Sequence, residues 1–245
     1  MAAKVKSTKL KRLIIIFGSK GGIGKTAYAR FLLSEFTRLN LEYSAYDADK
    51  ENPDLYRYYK DVGTGVKLVD FLAVDGAGKV LEEMSTLAPD IILLDLPAAS
   101  GDGTRSIFEQ FALLETAQEL GYRITLVCVI NTDNAVLGSI KTMAQFCGDK
   151  IDYTIVRNKC WSENNIFEMW DNSQLKPQLL NELKGIEIEM TALAPSAFLA
   201  LSKNKTPYHL ADKETVGFAP SLLVRGFLIG SRAGFEQAKV YWGIE

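Results

Sequence analysis

Apolar residues along the chain fall into two alternating rhythms. Short runs rich in Ile, Leu and Val, bounded by polar or turn residues, read as buried strands. Longer segments with apolar residues three or four apart read as amphipathic helices. "RLIIIF" at 12–17 is the first strand, and 26–39 follows as a helix because Tyr28, Phe31, Leu32, Phe36 and Leu39 recur at helical spacing. "YSAYDAD" at 43–49 is a strand ending in carboxylates. "DIILLDLP" at 90–97 is a near-continuous apolar run stopped by proline, the pattern of a central parallel strand. Segments 122–131, 151–158 and 186–193 bring the strands to about six. "VKLVDFLAV" (66–74), "GKVLEEMSTL" (78–87) and "SIFEQFALLETAQEL" (106–120) read as helical, and 220–242 reads as a closing helix interrupted by glycines. This alternation predicts an α/β fold with a mostly parallel central sheet and helices on both faces.

No repeat or linker divides the chain, which predicts a single domain over 1–245 with 220–245 as its closing segment. Residues 1–11, acid-free and carrying Lys4, Lys6, Lys9 and Lys11, are expected to form a basic, flexible N-terminal segment. At 47% hydrophobic and 24% charged residues the composition is that of a packed soluble core, and the net charge of −2 argues neither for nor against nucleic acid. Cys128, Cys147 and Cys160 are far apart and His209 is the single histidine, so zinc, dithiol and disulfide chemistry lack ligands. Cys128, inside "ITLVCVI", reads as inert core, which leaves Cys160 as the thiol worth locating. The apolar run "LIIIF" is too short for a signal peptide, and nothing approaches a membrane span. The expected location is a reducing cytoplasm.

The first strand leads into "GSKGGIGKT" and then a helix, the context a phosphate-binding loop requires. Backbone N–H groups of Gly21, Gly22, Ile23, Gly24, Lys25, Thr26 and Ala27 would surround phosphates at the helix N-terminus. Lys25 would reach the β- and γ-phosphates, and the Thr26 hydroxyl would bind Mg²⁺. The common pattern G-x-x-x-x-G-K-[ST] requires glycine where this chain has Ser19, and Lys20 is an additional cation. Asp47, Asp49, Asp95, Asn131 and Asn158 close successive strands, and in open α/β sheets that edge binds ligands.

"SKGGIGKT" resembles the deviant phosphate loop K-G-G-x-G-K-[ST] of the ParA/MinD superfamily of ATPases, P-loop proteins of the SIMIBI class. In that family the position of Ser19 is variable. The resemblance implies that Lys20 reaches the nucleotide of a partner subunit in a homodimer closed around two ATP molecules. It also implies that Asp49 orients the attacking water and that Asp47 and the Walker B residue Asp95 support Mg²⁺. "LPAASG" after Asp95 resembles the family's second switch. Asn158 has two readings, an adenine contact as in the family or a plain helix cap. "DADKEN" departs from the partition pattern D-x-D-x-Q-x-N and looks more like the D-x-D-x-x-N form of plasmid stability and mobilisation proteins.

The resemblance implies a slow ATPase, stimulated by an activating or adaptor protein, that times DNA partition, mobilisation or cargo positioning. Lys203, Lys205, Lys213, Arg225, Arg232 and Lys239 are either a surface for non-specific DNA or an ordinary solvated face. A biosynthetic ligase or amidotransferase of the same fold is the rival reading. MinD-like membrane attachment would need a basic amphipathic C-terminus, and "GFEQAKVYWGIE" carries one lysine, so no membrane partner is expected.

Overall fold

The computed structural model describes residues 10–18, 20–132, 135–161 and 167–244. Lys4, Lys6, Lys9 and Ser19 lie outside the described residues. In chain order the elements are β1 (Lys11–Phe17), α1 (Lys25–Arg38), β2 (Ser44–Asp47), α2 (Asp54–Tyr59), β3 (Val66–Leu68), α3 (Val74–Thr86) and β4 (Ile91–Asp95). They continue with α4 (Gly101–Gln110), α5 (Leu113–Glu119), β5 (Tyr122–Ile130), α6 (Ala135–Cys147) and β6 (Asp152–Asn158). The last are α7 (Glu168–Asp171), α8 (Leu175–Pro177), β7 (Ile186–Met190), α9 (Pro195–Asn204) and α10 (Phe218–Gln237).

The strands form one sheet in the order β3-β2-β4-β1-β5-β6-β7, and every pairing is parallel. All of β4 and all of β1 after Lys11 are buried, as strands covered on both faces must be. The chain winds from β1 outward to β2 and β3, returns through β4, and passes across β1 to β5, β6 and β7. The crevice at the strands' C-terminal ends therefore opens beside β1, where the winding reverses. Pairing sets Asp47 of β2 directly opposite Asp95 of β4.

Three expectations from the apolar pattern need correction. Of the expected helix at 66–74, residues 69–73 are not helical, α3 starts at Val74, and 66–68 form the edge strand β3, paired only with β2. Three residues are too few for a period to emerge, and Lys67 marks a charged edge in pairing its ammonium with Glu83 at 2.6 Å. The helix at 106–120 begins earlier, at Gly101, and breaks into α4 and α5 where Ala112 takes φ 43°. Glycines do not interrupt α10, which runs unbroken to Gln237 before a separate turn at Lys239–Trp242. They let it approach β7: a Cβ on Gly234 would lie 3.1 Å from the Glu189 carbonyl oxygen, and one on Gly230 would lie 2.7 Å from Thr191.

Candidate nucleotide site

Between β1 and α1 the backbone makes a tight loop whose glycines have separate reasons. Gly22 and Gly24 take φ of 75° and 103°, in the left-handed region that favours glycine. A Cβ on Gly24 would in addition sit 2.3 Å from the amide nitrogen of Asn158. That amide donates to the Ile23 carbonyl at 2.7 Å, and its oxygen accepts the Cys160 N–H at 3.0 Å. Asn158, buried at the end of β6, thus pins the outgoing limb of the loop. The first turn of α1 has no acidic residue and no side-chain cap, so its N–H groups remain available to an anion.

Lys20, Gly21 and Gly22 are exposed at the mouth of the loop, Ile23 is buried beneath it, and Thr26 and Ala27 are half-buried at the helix start. Lys25 is buried and donates to the Lys20 carbonyl at 3.2 Å. Burial pulls its pKa below the usual lysine value, opposed by the charges of Asp95 and Asp49. The two lysines are therefore differently placed: Lys25 points inward beside carboxylates, while Lys20 lies on the surface.

Asp95 is 1% exposed, and beyond the Thr26 hydroxyl its carboxylate oxygens have no hydrogen-bond partner among the described residues. Burial and then the neighbouring Asp47 push its pKa up to about 8, while the Thr26 hydroxyl and Lys25 counteract them. Burial also pushes Asp47 up to about 6, against backbone N–H groups of Tyr56 and Asp49, each 3.0 Å from a carboxylate oxygen. Asp49, half-buried, accepts N–H groups of Glu51 and Asn52 at 3.1 and 2.9 Å, which fixes the turn after β2. Two buried carboxylates side by side, one with no partner beyond the Thr26 hydroxyl, suit a divalent cation between them and that hydroxyl.

The structure thus gathers Lys25, Thr26, Asp47, Asp49 and Asp95 at one end of the sheet, with Asn158 against the back of the loop. Asn131 directly follows β5 and is half-buried. Two residues the apolar pattern passed over belong to the same region. Tyr56 supplies a backbone donor to Asp47, which no side-chain signature announces. Ser100, at the start of α4, buries a hydroxyl with no partner among the described residues. Its position in "LPAASG" was the available signal. Cys128 is fully buried with its thiol pKa raised by burial, and the exposed Cys160 is raised as well, so neither is an activated thiolate. No group of His, Cys, Asp and Glu among the described residues forms a ready-made metal cluster.

Of the six cations considered for DNA, three are committed to carboxylates. Arg232 makes a bidentate pair with buried Glu35, at 3.0 and 2.9 Å, Lys239 pairs with Glu236 at 2.5 Å and Lys213 with Glu214 at 3.4 Å. The C-terminal segment places Trp242 in the core, its indole N–H donating to the Phe235 carbonyl at 3.2 Å. Among the described residues, no helix is long and apolar enough to cross a membrane.

No family model matches the chain. Protein MobD of Acidithiobacillus ferrooxidans is 24% identical over 166 residues, covering 68% of this chain and 71% of that one. The MinD cell division protein of Aquifex aeolicus superposes with a TM-score of 0.51 at 18% identity, over 91% of this chain and 97% of that chain. The signal recognition particle receptor FtsY of Elizabethkingia anophelis superposes with a TM-score of 0.51 at 11% identity, over 91% of this chain and 66% of that chain. The parallel sheet flanked by helices is thus a fold this chain shares with MinD and FtsY.

Proposed function

Starting from the fold of the ParA/MinD class of P-loop proteins, we propose that the chain is a Mg²⁺-dependent ATPase that dimerises around two ATP molecules and serves as a nucleotide-timed switch. The observation that carries this reading is Asp95. It is a buried carboxylate with no hydrogen-bond partner beyond the Thr26 hydroxyl among the described residues, beside Asp47 and Lys25 at the foot of a glycine loop. A second buried carboxylate beside it makes this a place that suits a bound cation.

The loop N–H groups and the first turn of α1 bind and orient the phosphates. Lys25 neutralises charge on the β- and γ-phosphates from its inward position. Thr26, Asp47 and Asp95 would hold Mg²⁺, which when bound offsets the charge of the transferring phosphate. Asp49, fixed by two backbone donors, orients a water for attack on the γ-phosphorus. Lys20 extends from the exposed mouth to the ATP of a second copy, where an added cation speeds phosphoryl transfer by about 10³ to 10⁵. Asn158 acts from behind, holding Ile23 and Gly24 so that the cradle stays formed.

For the cargo, the D-x-D-x-x-N segment, which resembles that of plasmid stability and mobilisation proteins, favours DNA mobilisation or partition over small-molecule ligation. A cytoplasmic location and an activating protein partner follow from that role. Isothermal titration of ATP with Mg²⁺ tests the reading. Wild type is expected to bind and to hydrolyse slowly when alone, and Lys25→Ala to show no binding heat. Rapid turnover that waits for a small-molecule acceptor would replace the switch with a ligase.

A further inference from the structure

One side of α10 is left uncovered by the chain's own core. Phe218, Leu222, Arg225, Ile229 and Arg232 follow one another at intervals of four, three, four and three residues. That is the spacing of a helix seam that packs against a second helix. Phe218 is 70% exposed, Ile229 55% and Leu222 49%. The seam is not a convex ridge. It borders an open, shallow groove of about 560 Å³, with Tyr208, His209, Ala211 and Lys213 along the other side.

The charges of the groove select its occupant. Arg232 is neutralised by Glu35, and the Asp212 carboxylate is taken up by the N–H groups of Glu214 and Thr215 at 3.0 and 2.8 Å. Arg225 lies exposed at the middle of the seam and makes no ion pair among the described residues. A second copy is a poor fit. Parallel pairing of the seams in register sets Arg225 against Arg225, and antiparallel pairing about the centre does the same.

We propose that this groove is the docking site for an amphipathic helix of a partner protein. That helix carries apolar residues at heptad spacing and a carboxylate opposite Arg225. The inference concerns the outer side of α10, remote from the glycine loop in sequence, and does not depend on the ATPase reading. Docking then joins apolar contact along Phe218, Leu222 and Ile229 to a charge pair that fixes register.

The probe is a synthetic helix of about three heptads with leucine at the seam positions and glutamate flanking them, titrated into the full chain by fluorescence anisotropy. Saturable binding is expected, at least about tenfold tighter than for the same peptide with lysine in place of glutamate. Arg225→Glu should invert that preference, and Phe218→Ser should weaken both peptides. Both side chains are exposed, and circular dichroism checks that each variant folds. The proposal is overturned if the acidic peptide does not bind or if Arg225→Glu leaves the preference unchanged. It is also overturned if Phe218→Ser instead abolishes binding to phosphatidylglycerol vesicles or concentration-dependent self-association.

Discussion

Asp95 concentrates the physical conflict in the site. A carboxyl whose folded pKa lies above its unfolded value favours the folded state when protonated. Its contribution is therefore full below about pH 4 and is lost as the pH rises towards about 8. Metal-free protein is expected to lose thermal stability across that interval, and Asp95→Asn should flatten the loss and raise the melting temperature at pH 8. Calorimetry across the pH range, with and without Mg²⁺, measures it; Mg²⁺ should stabilise wild type and not the variant. Asp95 was legible because four apolar residues precede it in a strand. Asn158 was legible only as a strand end. Its bond to Ile23 spans 135 residues of sequence, which no local pattern can encode. Gly24→Ala meets both φ 103° and the Asn158 amide, and is expected to abolish ATP binding in the same titration while the rest of the fold persists.

At the scale of elements, α2 links the Asp49 turn to the rest of the molecule. The Tyr59 hydroxyl donates to the Arg30 carbonyl at 2.9 Å, meets Ser34 at 2.8 Å and accepts the Tyr208 N–H at 3.1 Å. Arg30 is buried between the rings of Tyr58 and Tyr208, at 3.5 and 4.3 Å, so its charge is met by aromatic faces. Tyr59→Phe leaves the buried Tyr208 N–H without its acceptor, and should cost about 1–3 kcal/mol in urea unfolding. The apolar pattern found the long elements because burial on one or both faces imposes a period. It missed β3, which is three residues long, and the break at Ala112, where a left-handed residue stands inside an otherwise helical sequence. It misjudged the α10 glycines because their reason lies in β7, not in the helix.

For the whole molecule, sheet order turns scattered carboxylates into one site. β2 and β4 pair so that Asp47 and Asp95 stand opposite each other, and β1 beside β4 delivers the glycine loop to the same edge. Alternating strands and helices made that architecture readable, but the order of the strands depends on which buried faces fit together. Lys20 is exposed beside the buried Lys25, which suits the proposal that one serves the chain's own nucleotide and the other a neighbour's. Dimerisation is therefore the claim on which the account turns. Size-exclusion chromatography of Asp49→Ala with ATP and Mg²⁺ tests it most directly. A shift from monomer to dimer that requires ATP, and that adding Lys20→Ala abolishes while ATP still binds, is the predicted result. An Asp49→Ala protein that binds ATP yet stays monomeric would contradict it.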